Sequence, residues 1–207
     1  MQNVTDRTSN PFGMRPPCEE FVPGYGDANA AFHLIGDHPA VHGGLDTGVP
    51  FTNAAGRRLL AVLADVGLVD DPDADAPVLG ELFLSYLHLC ADDPTPESYA
   101  DCERFFDAEL RAIGAHVLLP VGERATDHIL RTYTARTPQR PLDMETLHAG
   151  ELRGSGWLVV PIADPADWED GSAARLTESL ETLLATDYRR EADLGRFMPD
   201  DQPYLVR

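Results

Sequence analysis

Ala31-Phe32-His33-Leu34-Ile35-Gly36-Asp37-His38-Pro39-Ala40 is the stretch whose reading decides the fold. Its first five residues form a short apolar run of the kind that makes a buried strand. A glycine-rich bend continues to Gly48-Val49-Pro50-Phe51. Thr52 or Asn53 can then cap a helix with Leu59, Val62, Leu63 and Val66 on one face. Strand, polar bend and helix form the unit of an open α/β sheet, where ligands bind beyond the carboxyl ends of strands. The bend carries Asp37, His38 and His42, so it is expected to form one wall of a pocket.

Three further apolar runs repeat the pattern downstream. Leu82-Phe83-Leu84-Ser85-Tyr86-Leu87-His88-Leu89 delivers Cys90 at its end. Thr95 and Pro96 then suit the cap and first position of a helix, and Glu97 complements its dipole. Tyr99, Cys102, Phe106, Leu110 and Ile113 make the apolar stripe of that helix. Val117–Gly122 is the third strand, followed by a helix from Glu123 to about Tyr133. Trp157–Ile162 is the fourth, ending at Ala163-Asp164-Pro165, and a last helix runs to about Tyr188.

Alternation of this kind implies a parallel sheet with crossover helices. The expected architecture is a three-layer α/β sandwich with a central, mostly parallel four-stranded sheet and helices on both faces. A single domain over 1–207 accounts for the length. Residues 1–27, rich in Pro and Gly, read as an irregular arm wrapping that domain. Residues 134–156 read as irregular, and 189–207 as an acidic tail.

The net charge is −19, and all sixteen cationic residues are arginine. Acidic residues crowd the expected loops, as in Asp70-Asp71-Pro72-Asp73-Ala74-Asp75. This pattern resembles proteins that work in molar salt, where a Debye length of about 3 Å screens self-repulsion. No basic nucleic-acid track is visible, but under such screening an acidic balance does not exclude a polyanionic partner. No run long enough to cross a membrane is present, nor a charged-then-apolar leader, so a cytoplasmic location is expected, and separately a monomer. Three cysteines in such a chain point away from a disulfide framework, leaving metal ligation or burial.

Several chemistries are excluded outright. Without lysine there is no Walker motif, and G-x-G-x-x-G, H-E-x-x-H and G-x-S-x-G are all missing. Asp37 could orient a water, accept a proton or bind a metal, and reads equally as a turn aspartate. Phe51 is a stacking platform or a core aromatic. Cys90 and Cys102 could share a metal centre or simply be buried. Asp164, at the end of the fourth strand, could face the same crevice as Asp37 or belong to an ordinary acidic loop.

Together these segments resemble the uracil-DNA glycosylase superfamily, especially its iron–sulfur branch. Gly36-Asp37-His38-Pro39-Ala40, through Thr47-Gly48-Val49-Pro50-Phe51 to Ala55-Gly56, is similar to that family's G-E-A-P-G…T-G-x-P-F…A-G pattern. Cys90 through Pro94-Thr95-Pro96-Glu97 to Cys102 resembles its C…P-T-P-E-E…C element. Val121-Gly122-Glu123-Arg124-Ala125, and Leu147-His148-Ala149-Gly150 followed by Val159–Pro165, resemble its later segments.

The resemblance implies a base-excision enzyme that hydrolyses the N-glycosidic bond of uracil or another damaged base in DNA. It gives Asp37 the role of placing the attacking water and Phe51 that of stacking on the base. Gly36, His38 and Pro39 would shape the pocket, and His38 is the obvious replacement donor to the leaving base. Cys90 and Cys102 would be ligands of a four-iron, four-sulfide cluster, with Cys18 a third.

Three departures stand out. Asp164 takes the place of the family's H-P histidine, and Tyr86 that of its base-reading asparagine. The chain has three cysteines where the family uses four, leaving a fourth ligand open among His42, His88 and Asp37. These departures motivate two alternatives. One is a catalytically impaired relative that binds a nucleobase, nucleotide or protein; the other is a metal-dependent hydrolase using Asp37, His38, His42 and Asp164.

Overall fold

The computed structural model describes residues 3–134 and 136–189; the acidic tail beyond Arg189 lies outside the described residues. In chain order the strands are β1 (Tyr25–Gly26), β2 (Phe32–Gly36), β3 (Val69–Asp70), β4 (Val78–Leu79), β5 (Leu82–Tyr86), β6 (Val117–Pro120), β7 (Leu152–Gly154) and β8 (Trp157–Val159). The α-helices are α1 (Pro39–His42), α2 (Ala54–Asp65), α3 (Pro96–Ile113), α4 (Gly122–Tyr133), α5 (Met144–Leu147) and α6 (Ser172–Leu184).

The central sheet has six strands in the order β1-β5-β2-β6-β8-β7, not the expected four. The four apolar runs do form its parallel centre, β5-β2-β6-β8. The two additional strands, β1 and β7, pair antiparallel at the edges. They are two and three residues long and contain glycine, so no apolar run announced them. The stretch 134–156 is therefore less irregular than expected, holding α5 and β7.

Burial on both faces explains why the central strands read as continuous apolar runs. Phe32, Leu34, Leu84 and Leu119 face one layer, where Leu59, Leu60 and Leu63 of α2 meet Leu176, Leu180 and Leu183 of α6. Ile35, Phe83 and Leu118 face the other, against Phe106 and Leu110 of α3 and Ile129 and Leu130 of α4. Helix starts follow local chemistry. The Asn53 side chain accepts from Gly56 N–H at 2.8 Å, and Thr95 forms a capping box with Ser98 ahead of Pro96. Each such cap stabilises its helix by about 1 kcal/mol.

Beyond β2 the chain turns to α2 on one face, whereas beyond β6 it turns to α4 on the other. The carboxyl ends of these adjacent parallel strands therefore part, opening the crevice where an α/β sheet binds its ligand.

Among the described residues no helix is long and apolar enough to cross a membrane.

Candidate active site

A cavity of about 810 Å³ fills this crevice. Asp37 enters it from the end of β2, Gly122 and Arg124 from the first turn of α4, and Asp164 from the segment after β8. Asp37 and Asp164, far apart in sequence, thus share one cavity because their strands are parallel and end at the same side of the sheet.

Asp37 is held from two directions. Tyr99 donates its hydroxyl to Oδ1 in a short hydrogen bond, and Arg124 Nε lies 3.4 Å from Oδ2. The Arg124 guanidinium also sits 4.6 Å from the Tyr99 ring centre, so cation, aromatic face and carboxylate form one unit. Burial first, then the Asp37 carboxylate, pushes the Tyr99 phenol well above its usual range, so it stays a donor. The sequence placed Tyr99 on the apolar stripe of α3; periodicity has no way to report where a hydroxyl goes.

The second wall is a stack of rings. Phe51 is fully buried and does not line the cavity. The His42 imidazole covers it, with ring centres 5.2 Å apart and planes 26° apart, and Tyr86 packs beyond at 5.4 Å. Phe51 sits at φ 65°, a left-handed conformation costly for an aromatic residue. Tyr86 holds it there, accepting from Phe51 N–H and donating to Gly43 C=O, each at 2.8 Å. Tyr86, itself fully buried, thereby ties both ends of the 43–51 loop. Gly36 passes directly beneath: a Cβ there would stand 2.6 Å from the Tyr86 ring and 2.8 Å from that of Phe51. Pro39 opens α1 and is buried, and His38 precedes it as the capping residue without donating or accepting a side-chain cap.

His42 lines the cavity, and His38 does not. His42 Nε2 lies 3.4 Å from Asp164 Oδ2, an electrostatic contact rather than a directed hydrogen bond. His42, opposed by burial and helped by Ala166 N–H, holds the Asp164 carboxyl below its usual range. His38 turns towards His88 instead, with ring centres 6.4 Å apart, and burial pushes its imidazole down.

His148, also on the cavity wall, positions the Asp164 segment. Its Nδ1 accepts from Ala163 N–H at 3.0 Å and its Nε2 lies 2.9 Å from Ser172 C=O, which assigns the neutral Nε2–H tautomer. Burial pushes His148 down, in keeping with that state. The sequence singled out His148 only within a weak four-residue match.

The three cysteines meet behind Tyr99. Cys18 and Cys90 form a disulfide, correcting the expectation that the chain would have none. The arm brings them together by pairing along residues 89–91: Val22 N–H donates to Leu89 C=O and Ala91 N–H to Glu20 C=O. Cys102, buried and free, has its Sγ 3.7 Å from that of Cys90. His88, Cys90 and Cys102 place their ligand atoms within 4.8 Å of one another. Among the described residues they are the one group of three or more such side chains suited to a metal; Asp37, His38, His42 and Asp164 make no such group.

Comparison with known proteins bears on this arrangement. The family model described as "Uracil DNA glycosylase superfamily" matches residues 23–181. A type-5 uracil-DNA glycosylase of Thermus thermophilus is 32% identical over 139 residues, 63% of this chain and 61% of that protein, so the chain spans about three fifths of that relative. A type-5 uracil-DNA glycosylase of Pyrobaculum aerophilum is 31% identical over 182 residues, covering 84% of this chain and 76% of its own length. A type-4 uracil-DNA glycosylase of Archaeoglobus fulgidus is 28% identical over 190 residues, covering 89% and 87%.

Proposed function

The chain belongs to the uracil DNA glycosylase superfamily, and on that premise we propose that it excises a damaged base, uracil foremost, from DNA by hydrolysing the N-glycosidic bond. The observation that carries this reading is the convergence of Asp37, His42 and Asp164 on one cavity at the carboxyl ends of the parallel strands. The relatives' names, uracil-DNA glycosylases of types 4 and 5, supply the substrate class.

The target nucleotide must leave the stack, because the bond to be cut cannot be reached within a duplex. Asp37, oriented by Tyr99 and Arg124, holds the water and accepts its proton as oxygen bonds to the sugar carbon. The carbon–nitrogen bond breaks and its electron pair leaves with the base, which then takes a proton from solvent. A carboxylate at position 164 would by itself repel that departing charge. His42 is the donor we assign in its place: it stands on the cavity wall beside Asp164, whereas His38 does not. Phe51 acts on the base through His42, whose ring it backs. Tyr86 serves by holding Phe51 in place.

The cavity lining carries seven acidic side chains against Arg124 and Arg175. Such a mouth admits a polyanion once salt screens it, which supports work at high ionic strength.

Cys18, Cys90 and Cys102 are the residues that would hold an iron–sulfur cluster. Their sulfurs converge at one place, a donor set suited to such a centre. Ligation requires thiolates, so the cluster and the Cys18–Cys90 disulfide are alternative states of the same sulfurs. Hydrolysis transfers no electrons, so the chemistry a bound cluster supplies is a cross-link between the arm, β5 and α3.

The test is cleavage of duplexes carrying uracil, hypoxanthine or xanthine in molar KCl, comparing wild type with Asp37→Ala. Abasic product that depends on Asp37 supports the reading, and its absence for every base overturns it. Asp164 in the place of a donor favours one second reading, a relative that binds a base without cleaving it. Calorimetric base binding without turnover would establish that instead.

A further inference from the structure

We propose that His88 is the fourth ligand of the metal centre formed with Cys18, Cys90 and Cys102; this rests on the cluster reading above. A four-iron cluster takes four protein ligands, and the chain has only three cysteines. The fourth must therefore come from another side chain within reach of the sulfurs.

His88 meets the requirement on three counts. Its ligand nitrogen lies within 4.8 Å of the Cys90 and Cys102 sulfurs. Its side chain is fully buried, and neither ring nitrogen makes a well-formed hydrogen bond. A buried imidazole left in that state is costly, whereas a neutral imidazole nitrogen is a natural metal ligand. Finally, it lies two residues before Cys90, just beyond β5, on the segment paired with the arm that carries Cys18.

The other candidates are engaged elsewhere. Asp37 is taken by Tyr99 and Arg124. His42 stacks on Phe51 beside Asp164.

The assignment links the centre to the cavity. His88 N–H donates to Asp37 C=O at 3.0 Å, and the His88 ring lies 5.2 Å from that of Tyr99, which holds the Asp37 carboxylate. A ligand bond to His88 therefore braces the residue we assign to the water.

The experiment uses the full chain purified without oxygen in the presence of a thiol reductant. Iron and sulfide content, visible absorbance and the paramagnetic spectrum of the reduced state are compared for wild type, His88→Ala and His88→Cys. The expected result is a four-iron centre in wild type, loss of at least one iron per centre in His88→Ala, and full iron in His88→Cys. A lower reduction potential is expected in His88→Cys, because imidazole ligation raises the potential relative to thiolate. Circular dichroism of each variant separates ligand loss from failure to fold. If His88→Ala is folded and keeps the iron content and spectrum of wild type, the assignment of His88 is overturned while the cluster stands. If wild type itself binds no iron and keeps the Cys18–Cys90 disulfide after anaerobic isolation, the cluster reading falls, and this assignment with it.

Discussion

His42 and Asp164 face each other across the cavity wall, with Nε2 3.4 Å from Oδ2 and the imidazole backed by the Phe51 ring. One comes from α1 and the other from the segment after β8, so the pair spans the crevice between the two halves of the sheet. It puts an imidazole beside the position where the family resemblance leads one to look for a histidine and finds a carboxylate. An imidazole carried on α1 thus stands next to that carboxylate, although the two are far apart in sequence.

His42→Ala should accordingly lower single-turnover base release by about 100-fold or more, the scale of a lost hydrogen-bond donor to developing charge. Adding Asp164→His to His42→Ala should restore part of that loss, since a donor returns and a repelling charge goes. Equal rates for His42→Ala and wild type on the preferred base would remove His42 from the mechanism.

Salt should act opposite to its usual effect on DNA binding. The cavity rim presents seven acids against two arginines, and the whole chain carries −19. Raising KCl from about 0.1 M to about 1 M shortens the Debye length from about 10 Å to about 3 Å, so affinity for a uracil-containing duplex should rise across that range. A binding curve that weakens steadily with added salt would contradict this.

Glu109 offers a pH test of stability. Buried in α3 against Gly24, its carboxyl is pushed up to about 8 by burial, with the Gly24 backbone a smaller opposing influence. The folded chain therefore holds a proton that the unfolded chain releases at ordinary carboxyl values. Its stabilising contribution is complete below about pH 4.3 and is lost as pH rises towards 8. Glu109→Gln carries no such proton, so it should gain on wild type by about 1.4 kcal/mol per pH unit through that window. Parallel stability–pH curves from denaturant melts would refute the assignment.

Gly36→Ala should destabilise the fold by about 1–3 kcal/mol, the scale of overpacking. The added methyl meets the Tyr86 and Phe51 rings, which are locked by the hydroxyl bridge to Gly43. A denaturant midpoint equal to wild type would show that the ring stack yields more readily than this geometry implies.

Much of this protein was legible in the sequence alone. Four apolar runs dictated four parallel strands, because strands covered on both faces have no polar side to show. Asn53 and Thr95 marked helix starts through local hydrogen bonds that need no distant partner. Asp37 and Asp164, each just beyond a strand, were readable as neighbours because parallel strands bring their carboxyl ends to one side. Tertiary structure alone decided which face of each ring is used. The β2–β5 register sets Gly36 against Tyr86, and that contact puts Phe51 behind His42 rather than on the cavity. It also turned Tyr99 from a core aromatic into the support of Asp37, and brought His88 and three cysteines to one point. The decisive contacts, such as Gly36 with Tyr86 and Asp37 with Tyr99, join residues tens of positions apart, where helix and strand periodicity carry no information; only the packing of the sheet against its helices selects them.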